Sequence, residues 1–192
     1  MRFAWIPIPL FLVLIGFLWQ ADLAVVWEPP YLLPLLNFTF STAVSIFVSY
    51  LAALSFSRNA SFPILMLGCG MLFFGAVSLI AAISIHFGQI NIGLTVYNTG
   101  VLLAGACHFV TAAASKRIDR RVKKYAVLVL SCAYGLVLAV TGLLTFAASE
   151  GFTPVFFIQG VGATDLRQVI LGTAVGLFGI SGLMIRYFFH NY

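Results

Sequence analysis

Apolar runs of roughly spanning length follow one another along this chain. They cover about residues 3–19, 34–56, 63–86, 94–114, 125–148 and 166–189. A helix that crosses a bilayer needs roughly 20 apolar residues, so six such helices and their connectors use nearly all 192 residues. Only 8% of the residues are charged, against about 25% in soluble domains. So few charges cannot cover a water-facing surface of this size, whereas lipid allows apolar side chains to face outward. The runs have helical length, and the strict alternation over about 10 residues expected of a membrane strand is absent. The expected fold is an all-α integral membrane bundle of about six helices, forming a single polytopic domain over 1–192.

The first run follows a single arginine, as a signal peptide would. A retained helix fits better, because the run contains Pro7 and Pro9, continues to Trp19 and lacks a small-x-small cleavage site. Charge then sets the orientation. If the helices alternate, Arg2, Arg58, Lys116, Arg117, Arg120, Arg121, Lys123, Lys124 and Arg186 fall on one side and Arg167 alone on the other. Basic residues mark the cytoplasmic side, which places both termini there. Asp22, Glu28, Glu150 and Asp165 fall on the outer side and Asp119 on the inner. The basic segment from Lys116 to Lys124 is accounted for by topology. It can also hold anionic lipid, and no nucleic-acid partner is expected.

Polar and small residues inside the runs locate packing faces and candidate sites. Gly172, Gly176 and Gly179 form a small-residue face on the sixth helix, with a GxxxG pair; Gly68, Gly70 and Gly75 mark the third, and Gly135 and Gly142 the fifth. The second helix carries Asn37, Thr39, Ser41, Thr42, Ser45 and Ser49, which must find partners inside the bundle. Asn37, Tyr97, Asn98, Cys107 and His108 are the candidate ligand-cavity residues. His108 lies about 20 Å below the outer end of the fourth helix at 1.5 Å per residue. An imidazole at that depth requires a hydrogen bond or a metal. With Cys69 nearby, Cys107 and His108 would suit copper(I), since soft ligands favour it. The plain alternative is a hydrogen-bonded histidine in a polar core, and no metal or other cofactor is expected. Cys69, Cys107 and Cys132 form no CxxC pair, so a disulfide framework is not indicated.

Function classes narrow by what is missing. No run has a carboxylate or lysine near its centre, which argues against ion-coupled transport. The sequence contains no Walker, HExxH or Gly-x-Ser-x-Gly motif, so an enzyme is not expected. The outer connector from Phe152 to Asp165 is too apolar for a plain solvent loop and is expected to lie over the bundle mouth or to pack at the interface. Asp165 or Thr164 would cap the sixth helix.

The stretches Leu67-Gly68-Cys69-Gly70, Phe74-Gly75, Tyr97-Asn98-Thr99-Gly100 and Cys107-His108, with Phe156-Phe157-Ile158-Gln159-Gly160-Val161-Gly162-Ala163-Thr164-Asp165-Leu166-Arg167-Gln168, resemble the membrane-embedded input regions of prokaryotic sensor histidine kinases, the MASE-type sensor domains. The resemblance runs from about Leu33 to Tyr192. It implies a multi-pass sensor in the plasma (inner) membrane, working as a homodimer and relaying a ligand or membrane state to a cytoplasmic PAS, kinase or cyclase module. The 192 residues include no such module, so any enzymatic output would belong elsewhere. A membrane scaffold or assembly protein and a small-solute transporter or channel are the competing expectations.

Overall fold

The computed structural model describes residues 7–20, 32–114, 123–158 and 160–190. The chain divides into two compact units, Met1–Leu32 and Leu33–Tyr192, where the sequence suggests one. The first unit holds α1 (Pro7–Gln20), a helix of 14 residues. At 1.5 Å per residue it spans about 21 Å, short of the roughly 30 Å hydrocarbon core.

The second unit is a helical bundle. Its first helix is assembled from α2 (Leu32–Leu36), a π-helical stretch (Asn37–Ala43) and α3 (Val44–Asn59). It is followed by α4 (Phe62–His86), α5 (Ile90–Ala113), α6 (Ala126–Ser149) and α7 (Asp165–His190). Among the described residues, five helices are long and apolar enough to cross a membrane. The chain is thus an all-α, multi-pass membrane protein. Observed and expected helix ends agree within a few residues, because hydropathy and the Pro and Gly breaks are local signals.

Of the basic segment, Lys123 and Lys124 are described and exposed. Lys124 Nζ sits 5.5 Å from the centre of the Tyr125 ring. Lys116, Arg117, Arg120 and Arg121 lie outside the described residues.

Small residues set the packing. A Cβ added at Gly70 would lie 3.2 Å from the Ala104 carbonyl oxygen, and one at Gly93 3.1 Å from that of Ala81. At Gly100 it would collide with the Val77 side chain. The α4–α5 contact is therefore a close backbone approach, the geometry that dispersion forces favour where lipid gives no hydrophobic drive. On its other side α4 meets α3, with Gly75 against Ser45 and Gly68 against Ala52. Phe56, Leu65, Cys69, Phe73, Ala104, Ala126 and Val137 close one core cluster, and Val77, Val96 and Ala148 a second.

The small-residue face of the last helix makes no close contact among the described residues. A Cβ added at Gly172, Gly176 or Gly179 meets nothing within 4 Å, and the same holds for Gly135 and Gly142. The helix α7 instead docks on α5 through the stripe containing Ala174, Leu177 and Phe178, which lies against Gly105. The glycine of α5 admits the larger side chains of α7, so the glycines of α7 are left on the outward face.

The outer connector folds into a two-stranded hairpin, β1 (Phe157–Ile158) and β2 (Gly162–Ala163). Gly160 and Gly162 adopt φ of +81° and +106°, which only glycine takes without strain.

Candidate functional site

Of the five candidate residues, Asn37, Tyr97, Cys107 and His108 each contact α4, at different heights along it. Asn37 opens the π-helical stretch and donates from Nδ2 to the Ser78 carbonyl oxygen at 3.4 Å. Tyr97 faces α4, its ring centre 6.3 Å from that of Phe74. Asn98 is buried, with 1% of its surface exposed. It shares a heptad line of α5 with Asn91 above it and Gly105 below, the line that faces the hairpin and α7.

Cys107 and His108 lie about 15 Å further along α5 than Asn98, ten residues at 1.5 Å each. Both approach Gly70 of α4: a Cβ there would be 3.2 Å from Cys107 Cβ and from His108 Cδ2. Cys69 belongs to the same core cluster as Cys107. The contact resolved for the imidazole is a tilted ring pair with Phe178, 5.2 Å between centres. Although consecutive helical residues point about 100° apart, both side chains flank the same glycine of α4. Among the described residues no three His, Cys, Asp or Glu side chains gather to hold a metal ion.

The polar second helix is used as structural glue and more. Ser49 Oγ donates to the Gly68 carbonyl oxygen at 3.1 Å, and Tyr134 of α6 donates its hydroxyl to the Ser49 carbonyl oxygen at 2.7 Å. These bonds tie α3, α4 and α6 together. Thr42 and Ser78, however, are fully buried with Oγ1 and Oγ lacking partners. A π-helical stretch commonly marks a functional position, and here it brings an unsatisfied hydroxyl against α4.

The outer mouth holds the residues that sequence reasoning missed. Asn91, in the gap between the runs near 63–86 and 94–114, lies in the first turn of α5. Its Oδ1 accepts from the backbone N–H of Phe156 at 3.0 Å and of Phe157 at 3.3 Å. Phe156 is 1% exposed, so the hairpin is anchored by a buried ring as well as by hydrogen bonds. The Thr164 hydroxyl donates to the carbonyl oxygens of Val155 and Phe156, closing the hairpin at the start of α7. Elsewhere, Asn98 Nδ2 on α5 and Arg167 Nε near the start of α7 are both buried and without a partner. The only signal in the sequence was Arg167 itself, the one basic residue on the acidic side.

Buried polar groups are nearly always hydrogen-bonded, and each exception calls for an explanation. Among the described residues they are Thr42 in the π-helical stretch, Ser78 on α4, Asn98 on α5 and Arg167 on α7. No protein-family model, curated protein or solved structure matches this chain.

Proposed function

We propose that this chain is the membrane-embedded sensory input domain of a signal-transduction protein, relaying a ligand or membrane state to a cytoplasmic output module. The observation that carries this reading is the arrangement at the outer mouth. A hairpin latched to α5 by Asn91 covers partnerless polar groups and continues directly into α7, whose far end emerges at the opposite side of the bundle. Occupation of the mouth would bias how α7 sits on α5. A signal needs such an element with two arrangements that the ligand favours unequally.

The proposal includes six spans, with the first run retained in the membrane and both termini cytoplasmic, because nine of ten basic residues then share one side. It also places any kinase or cyclase activity in a separate module and the protein in the plasma membrane. The test is a fusion: a cytoplasmic output module is joined after Tyr192, and its activity is compared between the native sequence and Asn91→Ala. Unlatching the hairpin should change the output. Equal output from both, at equal expression, counts against a sensor.

A second reading has one observation in its favour. The outward glycine face of α7, with Gly172, Gly176 and Gly179 open, suits assembly with a second copy or another membrane helix. Cross-linking in native membranes from cysteines placed on that face would give a constant partner if the chain is a scaffold. A homodimer alone fits either reading.

A further inference from the structure

Two buried donors, Asn98 Nδ2 on α5 and Arg167 Nε on α7, are left without acceptors. Their positions are related. The helices run side by side in the same direction, since Gly105 meets Ala174 and His108 meets Phe178. A Cβ at Gly105 would lie 3.5 Å from the Ala174 carbonyl oxygen. Asn98 is one heptad before Gly105, and Arg167 is one heptad before Ala174. A heptad advances a helix by about 10.5 Å and rotates its face by only about 20°. The same face-to-face relation therefore recurs one step nearer the outer end, and it sets Arg167 opposite Asn98. One further heptad up α5 stands Asn91, which holds the hairpin above them.

We propose that this α5–α7 interface binds an oxyanion, the carboxylate or phosphate group of an anionic ligand, between Arg167 and Asn98. A guanidinium cannot shed its proton and offers only donors. The residue is partly exposed, but its Nε is buried without an acceptor, and a buried donor on a charged group calls for one. The carboxylates among the described residues, Glu150 and Asp165, are exposed. The Asn98 amide adds a donor that is 1% exposed. A guanidinium and an amide donor facing each other across one interface match an oxyanion and reject a cation. Topology does not account for Arg167, because it lies on the side from which the other basic residues are excluded.

The oxyanion could be carried by a membrane amphiphile or by a soluble ion. As the stimulus of a sensor the site rests on the proposed function; as a binding site it does not, so the experiment reads binding alone. The full chain in nanodiscs of neutral lipid is titrated with dodecanoate, with phosphatidylglycerol incorporated in the disc, with acetate and with inorganic phosphate. Dodecanol is the uncharged control, and thermal stability and native mass spectrometry are the readouts. Binding of dodecanoate or phosphatidylglycerol without acetate or phosphate assigns an amphiphile. Binding of the small ions assigns a soluble ligand. Arg167→Gln should weaken whichever binds by about tenfold or more. Asn98→Asp should place a carboxylate beside Arg167, raising the melting temperature without ligand and abolishing the ligand-induced shift. The proposal is overturned if none of the four anions binds, if dodecanol binds as well as dodecanoate, or if Arg167→Gln binds with unchanged affinity. Binding that survives these controls while the fusion output ignores the anion would retire the sensor and keep the site.

Discussion

The side-chain oxygen of Asn91 accepts a hydrogen bond from the backbone N–H of Phe156 at 3.0 Å, joining the first turn of α5 to a loop 65 residues further along. A second bond, from the Phe157 N–H at 3.3 Å, uses the same oxygen. Replacing Asn91 with alanine removes the shared acceptor and leaves two N–H groups unmatched beside a buried aromatic. Each such loss costs about 1 kcal/mol or more. Amide exchange at Phe156 and Phe157 should accelerate by about tenfold or more in Asn91→Ala, while Asn91→Asp, which keeps the acceptor, should stay near the native rate. Unchanged exchange in Asn91→Ala would show that the buried Phe156 ring alone holds the hairpin.

The glycines divide into two classes that substitution should separate. A methyl at Gly100 runs into the Val77 side chain at the tightest point of the α4–α5 contact. Overpacking of this kind costs typically 1–3 kcal/mol. A methyl at Gly176 meets nothing within 4 Å. Gly100→Ala should therefore lower the detergent melting temperature clearly and Gly176→Ala hardly at all. If Gly176→Ala instead weakens cross-linking between copies, the open face of α7 is a subunit contact.

Tyr134 connects α6 to the rest of the bundle by a single 2.7 Å hydrogen bond to the Ser49 carbonyl oxygen. Its hydroxyl also occupies the space beside Gly68. Polar bonds between membrane helices contribute about 0.6 kcal/mol on average and up to about 1.7. Tyr134→Phe should cost an amount in this range in an unfolding titration. Adding Gly68→Ala to Tyr134→Phe should be less harmful than Gly68→Ala alone, because the colliding oxygen is gone. An additive double variant would argue against that coupling.

Sidedness has a direct readout. Cysteines placed at Val161, in the exposed tip of the hairpin, and at Lys123, before α6, should label from opposite faces of sealed vesicles with an impermeant maleimide. Val161→Cys is expected to react from outside the cell and Lys123→Cys from within. Labelling of both from one face would remove the alternation on which the charge argument stands.

Several expectations read from residues alone agree with the fold because they depend on local properties. The run near 63–86 became Phe62–His86, and that near 125–148 became Ala126–Ser149, since Pro63 and the change from charged to apolar sequence mark their starts. The polar second helix turned out to place Thr42, Ser45 and Ser49 in the interior. The π-helical stretch Asn37–Ala43 and the hairpin were not anticipated. The first depends on a backbone bulge without a sequence period, and the second on only two residues per strand. Asn91 falls between the apolar runs near 63–86 and 94–114, yet the helix begins at Ile90.

What the sequence determined unaided is the apolar character and length of each span, and the unequal placement of charge between its ends. Both are properties of contiguous residues, and lipid selects on them directly. Which face of each helix meets which neighbour was left to the tertiary structure. Helices that are apolar all round carry no stripe pointing toward a core, so periodicity has nothing to report. Only the packed bundle could turn the glycines of α7 outward, set Gly105 of α5 against Ala174 of α7, and hold the hairpin on Asn91.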